Sequence, residues 1–398
     1  MITKFLQSLE DPKQRLLGPN IWFMKWIGLI LPNNIFLKIV YIFIHELVTF
    51  FVITQYMAIY LVRSDLDQVV ENVKISFLSI ICVTKSNAII FTQKRWKQVL
   101  DYVTESDEYE REHQDKIRGE IIDKYTKHCR RVTYFFWGLL FVTFLTVISS
   151  PLLKFLSSQD YREGFRNGSE PFPHIYISWM PIDKNHSPGC WITVIWHASM
   201  CSYGCSLMSA YDTCMIVIMS FFGGKLDLLK ARSKLALGTS GNRISDDEID
   251  KSIRQLYHEH ILLLKQSRLF NSLLSPIMFL YVALCSLNLC AVVFLLASAT
   301  TATQKLFLAV FLLFGIAQLF MYCWQSNDVQ IKSEQLMYGL YESEWWVANA
   351  KQRKSILMLA GQFRIKHVFT AGPFTSLTLY TFITILKGAY SYYTLLRK

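Results

Sequence analysis

Long stretches of the chain consist of apolar residues and are separated by charged segments. Residues 132–153, 269–304 and 306–326 contain no Asp, Glu, Lys or Arg. A helix that crosses a membrane needs about 20 consecutive, mostly apolar residues, and buried helices of soluble proteins rarely offer such long uncharged runs. The pattern therefore predicts an all-α integral membrane protein.

The apolar blocks predict seven transmembrane helices. They cover residues 36–62, 69–92, 132–153, 191–223, 270–299, 306–327 and 371–395. The second and the last blocks are the least apolar. Glu71, Lys74 and Lys85 interrupt the second block, which indicates a helix with one face turned towards protein or water.

Lys and Arg residues are distributed unevenly over the segments that connect the blocks. The N-terminal segment and the connections 93–131, 224–268 and 328–370 hold 29 of them, whereas the alternate segments hold eight. Segments rich in Lys and Arg stay on the cytoplasmic side of a membrane. The N-terminus is therefore predicted to be cytoplasmic and the C-terminus extracellular, which is the reverse of a G-protein-coupled receptor.

Composition and motifs exclude several functional classes. Only 18% of the residues are charged. The net charge is +11, but the basic residues are spread over several connecting segments and do not form the single basic patch of a nucleic-acid-binding protein. The chain lacks glycine-rich phosphate loops and the GxSxG and HExxH motifs, so no enzyme, cofactor or metal is predicted. His258 and His260 lie two apart and face different ways on a helix. The nine cysteines show no metal-ligand spacing, and most of them are predicted to be reduced packing residues.

Three polar features each leave two interpretations open. His45 and Glu46 inside the first span indicate either a contact between helices, for example with Lys74 or Lys85, or a proton or ion relay. Segment 93–131 mixes both charge signs and is expected to form helical extensions in the cytoplasm, either as a solvated face or as a binding site. Asn167 begins an Asn-Gly-Ser glycosylation signal in the predicted outer segment, although such a signal also occurs by chance.

The last span carries its small and polar residues on one helical face. This face is formed by Thr378, Thr381, Thr384, Gly388, Ser391 and Leu395. Their spacing of three or four positions aligns them along the helix. Such a face is typical either of a close helix–helix contact or of a pore wall, and one helix forms a pore only in an oligomer.

The C-terminal stretch carries a recognisable set of motifs. These are Tyr341, Glu344 and Trp345, then Ala-Gly and Phe within 371–374, and the ending "FITILKGAYSYYTLLR" with its Tyr-Ser-Tyr core at 390–392. They resemble the C-terminal signature of insect odorant receptors. The outer segment "YISWMPIDKNHSPGCW" is similar to the loop that precedes the fourth span in that family.

The resemblance implies a heteromeric, ligand-gated, non-selective cation channel in the plasma membrane of olfactory sensory neurons. Four subunits would surround one pore, and this chain would be an odorant-tuned subunit beside a shared co-receptor, since its 224–268 connection is short. Its ligand would be a small volatile organic molecule. Membrane lipid would surround the protein, and no nucleic-acid partner is expected. A gustatory-receptor-like channel subunit and a G-protein-coupled seven-span chemoreceptor remain alternatives.

The resemblance also divides the chain into regions. Residues 1–327 would form a six-helix ligand-binding region with cytoplasmic helical extensions. Residues 328–370 would be a cytoplasmic anchor that assembles the tetramer, with an amphipathic helix carrying Leu340, Trp345, Ala348 and Leu357. Residues 371–398 would be the pore-lining seventh helix.

Candidate site residues follow from the same resemblance and the predicted orientation. Pocket residues are expected in the outer halves of the second, third, fourth and sixth spans, where ordinary helix packing is the alternative; they are Asn72, Ile75, Phe77, Phe144, Thr146, Ser150, Trp196, Met200, Tyr203, Phe307, Phe311 and Phe314. The predicted pore residues are Ser391, Thr394, Leu395 and Leu396, with Lys387 behind the pore. Tyr341, Glu344 and Trp345 are the predicted assembly residues, and Trp345 could instead anchor at the membrane interface.

The predicted orientation can be tested with terminal tags. We expect a C-terminal tag to be reached by an external antibody on intact cells, and an N-terminal tag only after permeabilisation, because Lys and Arg retain their segments in the cytoplasm. A C-terminal tag that is detected only in permeabilised cells would contradict both the orientation and the channel interpretation.

Overall fold

The chain folds almost entirely into helices in the part that the structure describes. This computed structural model describes residues 14–61, 63–64, 66–113, 115–157, 159–167, 172–238, 245–299 and 301–396. The α-helices are α1 (Gly18–Trp26), α2 (Ile35–Leu61), α3 (Leu66–Phe91), α4 (Gln93–Glu112), α5 (Lys116–Ser157), α6 (Gln159–Arg166), α7 (Gly189–Leu235), α8 (Asp246–Ser298), α9 (Ala302–Gln335), α10 (Met337–Tyr341), α11 (Ala350–Phe363) and α12 (Leu379–Leu396). A single 3₁₀ turn (Trp345–Val347) and two short strands, β1 (Thr370–Ala371) and β2 (Thr375–Ser376), complete these ranges.

Six helices in the described ranges, α2, α3, α5, α7, α8 and α9, are long and apolar enough to cross a membrane. The seventh predicted span is α12, which has 18 residues and begins at Leu379 rather than at residue 371. Residues before it form a hairpin instead, in which Thr370 pairs with Ser376. Its turn contains Gly372, whose φ of +70° is rarely adopted by residues with a side chain.

Helix α7 lies at the centre of the bundle. It packs against α1, α3, α5, α8, α9 and α10, and almost every residue from Leu207 to Leu229 is buried. Gly224 permits its close approach to α5, because a Cβ atom at this position would lie 2.5 Å from the ring of Tyr125. Helix α12 packs on the outside of this arrangement, against α8 and α9.

The charged ends of the long helices meet at one end of the bundle. Lys225 on α7 donates to Glu110 on α4 at 2.6 Å, and Lys332 on α9 lies 2.9 Å from Asp227 on α7. Because these residues come from three connections that the charge pattern places in the cytoplasm, the contacts agree with one common cytoplasmic end. The predicted boundary at residues 327 and 328 falls inside α9.

Segment 93–131 forms α4 and the start of α5, as helical extensions, but it is not simply a solvated face. Asp107 is 3% exposed and accepts from the Tyr125 hydroxyl at 2.7 Å, while Arg111 donates to the same carboxylate at 2.8 Å. Burial raises the pKa of Tyr125, and the neighbouring Asp107 raises it further. The solvated-face interpretation is therefore wrong for this side of α4, where the charges hold helices together.

A buried ion pair joins α3 and α7 within the membrane-spanning part. The Lys85 ammonium lies 2.6 Å from Asp212 Oδ1, and both side chains are 0% exposed. Tyr322 donates to Oδ1 at 2.7 Å and Gln318 donates to Oδ2 at 2.5 Å, so α9 is tied to the same carboxylate. The ring of Tyr281 on α8 has its centroid 5.0 Å from the ammonium.

The polar residues of the first span make contacts that the sequence analysis did not assign. His45 hydrogen-bonds with the Ser86 hydroxyl at 2.8 Å and faces the Gly28 carbonyl at 3.3 Å. Lys85 does not pair with His45 or Glu46, since Asp212 takes that position. The proposed contact with Lys85 was therefore wrong, although a contact between helices is what His45 makes.

Two cytoplasmic histidines, His260 and His367, and most of the cysteines are buried among other side chains. Helix α8 exposes His258 and buries His260 completely, against the rings of Phe363 and His367. Burial lowers the pKa of His260 to about 4 and that of His367 to about 3, so both are neutral at cytoplasmic pH. All nine cysteines are free, and the burial of eight of them agrees with the prediction that most are packing residues.

The 328–370 segment is broken into short pieces rather than forming one amphipathic helix. Helix α11 buries Ile356, Leu359 and Phe363 against α8, while Leu357 points outwards with 74% of its surface exposed. Ala348 is buried in the turn that precedes α11. An asparagine cap starts α11, since Asn349 and Gln352 each accept the other's backbone N–H.

The buried pair predicts a specific stability pattern. We expect Lys85→Met to destabilise the fold by roughly 3–5 kcal/mol, because the Asp212 carboxylate stays buried without its cation. Lys85→Met combined with Asp212→Leu should recover a large part of this loss. The midpoint of thermal unfolding in detergent measures both variants, and a double variant less stable than Lys85→Met alone would contradict the expectation.

Candidate ligand cavity and pore helix

An apolar cavity of about 70 Å³ lies between α2, α3, α5, α7 and α9. Its walls combine aliphatic, aromatic and sulfur-containing side chains with one residue of the outer segment. The lining residues are Val48, Phe51, Val52, Ile75, Leu78, Ser79, Cys82, Leu140, Thr143, Phe144, Val147, Tyr176, Met200, Cys201, Gly204, Cys205, Met208, Phe311 and Phe314. None of these described residues carries a formal charge.

The cavity brings together five of the twelve predicted pocket residues. They are Ile75, Phe144, Met200, Phe311 and Phe314. They come from the four spans in which the pocket was expected, and they face one another across the cavity. The prediction that they bind a ligand stays a prediction.

The other predicted pocket residues do not line this cavity. Two of them lie one contact away, since Trp196 packs against the lining residue Phe51 and Tyr203 packs against the cluster that contains the lining residues Val48 and Val52. Thr146 donates to the Val142 carbonyl of its own helix. Asn72, Phe77 and Phe307 are half-buried elsewhere on their helices, and the Ser150 side chain lies outside the described residues.

Sequence analysis missed the contribution of the first span and of the outer segment. Val48, Phe51 and Val52 form one apolar face of α2 that points into the cavity. Their spacing of three and four positions was the available signal. Tyr176 was part of the quoted outer motif, but its place in the cavity depends on the course of a loop and not on helical periodicity.

The outer segment covers the cavity at one end. Ser178 shares a 2.8 Å hydrogen bond with His197 on α7, and the Trp179 backbone N–H donates to the Thr54 carbonyl on α2. The Tyr176 ring meets Phe51 edge-on, with centroids 5.5 Å apart. These contacts place the segment against both helices and separate the cavity from the outer surface.

The polar atoms of the cavity wall are largely engaged within the protein. Ser79 and Thr143 donate to carbonyls one turn earlier in their own helices, and the Cys82 thiol contacts the Gly204 carbonyl. Such hydroxyls present little unsatisfied hydrogen-bonding capacity. The cavity therefore suits an uncharged, mostly apolar molecule held by dispersion and ring contacts.

Helix α12 has two distinct faces. Phe382, Ile385, Leu386 and Ala389 turn inwards, and Phe382 packs on Phe320 of α9 with ring centroids 5.4 Å apart. The opposite face is exposed along the helix; its residues are Tyr380, Ile383, Thr384, Lys387, Tyr390, Ser391 and Thr394.

Two of the four predicted pore residues lie on this exposed face. Ser391 and Thr394 are exposed, whereas the side chains of Leu395 and Leu396 lie outside the described residues. Thr381 is buried and bonds to the Ser376 carbonyl, so it leaves the predicted face. Lys387 is also exposed, between Thr384 and Ser391 along the helix, and its predicted place behind the pore stays a prediction.

Predicted assembly and glycosylation residues are at the surface. Tyr341 and Trp345 are 72% and 40% exposed, and Glu344 is half-buried. Asn167 is exposed at the end of α6. Their predicted roles stay predictions.

Comparison with known proteins places the chain in a family. A sequence profile described as "7tm Odorant receptor" matches residues 65–390. Odorant receptor 10 of Aedes albopictus is 28% identical over 165 residues, which is 42% of this chain and 43% of that protein. Odorant receptor Or2 of Anopheles gambiae is 26% identical over 142 residues, 36% of this chain and 37% of that protein. The chain thus aligns with less than half the length of each of these relatives.

The fold is similar to that of the insect olfactory receptor OR5 from Machilis hrabei. Its structure in complex with eugenol aligns with a TM-score of 0.77 and 16% identity, over 95% of this chain and 98% of that one. A second structure of OR5 gives 0.78 and 17% over the same shares. At this identity the likeness shows the fold alone, an all-α membrane fold, and the profile match supplies the family. The chain belongs to the insect odorant receptor family, whose members are receptors and not enzymes.

Proposed function

We propose that this chain is an odorant-tuned subunit of a heteromeric, ligand-gated, non-selective cation channel in the plasma membrane of olfactory sensory neurons. The observation that carries the proposal is the covered apolar cavity within the helix bundle of a member of this family. OR5, whose fold is similar, has been solved in complex with a small aromatic molecule, eugenol.

The odorant is a small, uncharged molecule that the cavity holds by shape and dispersion. Phe144, Phe311 and Phe314 supply aromatic faces and edges for a ligand ring. Hydrogen bonds contribute little, because the hydroxyls of Ser79 and Thr143 are already engaged. A carboxylate or ammonium ligand is disfavoured, since its charge would be buried without a counter-ion.

Ligand binding opens the pore through α9. Phe311 and Phe314 line the cavity near the start of this helix, and Phe320 further along it packs on Phe382 of α12. A ligand that separates α9 from α3 or α5 therefore also displaces a residue against which the proposed pore helix rests. The ligand shifts gating only to the extent that it binds the open arrangement more tightly.

The exposed face of α12 lines the pore together with the equivalent helices of neighbouring subunits. Thr384, Ser391 and Thr394 offer hydroxyls, and Leu395 and Leu396 are the proposed constriction at the outer end. Lys387 on the same face favours a heteromer. Four copies of its ammonium around one axis would repel cations, whereas a co-receptor contributes pore helices of its own.

Assembly with the co-receptor uses the cytoplasmic anchor. Tyr341, Trp345, Trp346 and Leu357 are all exposed in the single chain, and aromatic residues are enriched at the centre of protein interfaces. Subunit packing would bury them together.

A larger side chain that fills the cavity should weaken the response to the odorant. Gly204 lines the cavity, and a Cβ atom there meets only the Cys82 sulfur, at 3.7 Å. We expect Gly204→Leu to raise the half-maximal odorant concentration by on the order of tenfold or more, because the new side chain occupies ligand space. Whole-cell currents with the co-receptor and an odorant panel, at matched surface expression, measure this.

Gly138→Leu is the matched control for this substitution. Gly138 lies on an exposed face of α5, where an added Cβ atom meets nothing within 4 Å. Equal loss of sensitivity in both variants would place the ligand elsewhere.

The exposed face of α12 can be tested for contact with the conducting path. We expect the charged thiol reagent MTSET to block odorant current through Ser391→Cys and to leave Ala389→Cys unaffected, because Ala389 is 5% exposed and faces α8 and α9. Currents are recorded with the co-receptor present and G-protein signalling inhibited. Current that disappears with that inhibition would instead favour the G-protein-coupled alternative, and equal block of both variants would remove α12 from the pore.

A further inference from the structure

The outer segment closes the direct route from external water to the cavity. Ser178 is 1% exposed and its hydroxyl bonds to His197, while the Trp179 backbone N–H donates to Thr54. Tyr176 extends from this segment into the cavity wall. A molecule arriving from outside would have to displace contacts to both α2 and α7.

A large groove reaches the same region from the side of the bundle. It measures about 630 Å³ and lies between the α1–α2 region, α5 and α7. Residues along it are Tyr41, Phe144, Ile195, Ser199 and Ser202. Ile195 is 67% exposed, and the neighbouring residues belong to membrane-spanning parts of α5 and α7, so the groove opens towards lipid.

Phe144 is the residue that the groove and the cavity share. Its half-buried side chain lines both, and no other described residue lines the two. The Phe144 ring therefore forms a boundary between the lipid-facing α5–α7 groove and the cavity. Exchange of the Phe144 side chain between staggered χ1 rotamers is a local motion, so this wall can open without unfolding.

The groove is chemically suited to an apolar molecule despite its serines. Ser199 donates to the Ile195 carbonyl at 2.8 Å, and Ser206 donates to the Ser202 carbonyl at 2.9 Å. Hydroxyls satisfied in this way do not require a polar ligand. Their small size leaves room beside α7, which a Leu or Phe at the same positions would fill.

A second lipid-facing groove is a weaker route. It measures about 570 Å³, lies between α2 and α3, and shares Val52 with the cavity. Val52 is 6% exposed and packs with Val48 and Val83 in one apolar cluster. A β-branched residue in a helix has one strongly preferred rotamer, so Val52 cannot swing aside as a phenylalanine can.

We propose that lipophilic odorants reach the cavity laterally, from the bilayer, through the α5–α7 groove and past Phe144. The occupant of the groove is an uncharged odorant already dissolved in lipid, and the continuity of groove and cavity at Phe144 is the argument for it. The proposal depends on the proposed function only for the identity of this molecule. Access itself is a property of the fold.

Three native thiols allow the access of small molecules to the cavity to be measured without recording channel current. Cys82, Cys201 and Cys205 are free and line the cavity. Methyl methanethiosulfonate is a small neutral reagent that converts a thiolate to a methyl disulfide and releases methanesulfinate. MTSET carries the same reactive group with a permanent charge, which keeps it out of lipid. Mass spectrometry of the full chain in lipid nanodiscs gives the modification rate at each cysteine.

We expect the neutral reagent to modify the cavity thiols and MTSET to leave them largely unmodified. Ser199→Trp, which plugs the groove without touching the cavity, should slow the neutral reaction at Cys201 and Cys205 by on the order of 3- to 10-fold through a raised access barrier. Ile53→Trp, in the second groove, should leave the rates unchanged. Phe144→Ala should accelerate the reaction, and buried Cys323 on α9 is the internal reference.

Several outcomes would overturn lateral access. These are equal rates for MTSET and the neutral reagent, no slowing by Ser199→Trp, or slowing by Ile53→Trp alone. If Ser199→Trp does not fold, Ser202→Phe gives a smaller plug in the same groove and tests the same point. Loss of odorant current with the expected labelling pattern intact would count against the proposed function and not against the route.

Discussion

The buried pair of Lys85 and Asp212 is the contact on which the arrangement of the helices depends. Both charges are fully withdrawn from water within the membrane-spanning part, where the desolvation of each costs several kcal/mol. That cost is offset only because the geometry is complete: Asp212 accepts from Lys85, Tyr322 and Gln318 within 2.7 Å. One carboxylate on α7 therefore fixes the positions of α3 and α9 at the same height. The helices cannot slide past one another without leaving a buried charge unpaired, which lipid does not tolerate.

This constraint lies directly beside the apolar cavity. Lys85 also contacts the sulfur of Met208, a lining residue of the cavity, and Gln318 lines a smaller adjoining cavity of about 20 Å³ with Phe311 and Phe314. Gln318 and Tyr322 hold α9 at Asp212 on either side of Phe320, which packs on Phe382 of α12. The polar network therefore joins the helix that lines the cavity to the helix proposed for the pore.

The sequence was informative where physical signals are local. Long uncharged runs identified the helices, and the positions of Lys and Arg identified the ends that meet through ion pairs such as Lys225–Glu110. The start of α12 was placed eight residues too early, because the hairpin at 370–376 contains no charged residue that would separate it from the apolar helix. Asp212 escaped notice because a lone carboxylate in a long apolar block has no partner until α3 is packed beside α7. Tyr176 and the α2 face of the cavity were missed for the same reason, since each depends on which helices become neighbours.

One physical explanation accounts for the surfaces of α7 and α12 that are rich in serine and threonine. In the membrane a hydroxyl that donates to its own helix, as Ser199, Ser206 and Thr384 do, has no remaining demand for a polar neighbour. The main effect of such a side chain on packing is then its small size. On α7 this smallness leaves a groove open to lipid, and on α12 it leaves space along the face proposed for the pore. Polarity alone did not distinguish these two surfaces in the sequence. What separates them is the residue beside them: Phe144 borders the groove on α7 with an apolar ring, whereas Lys387 on α12 carries a charge that has to reach water or lipid headgroups.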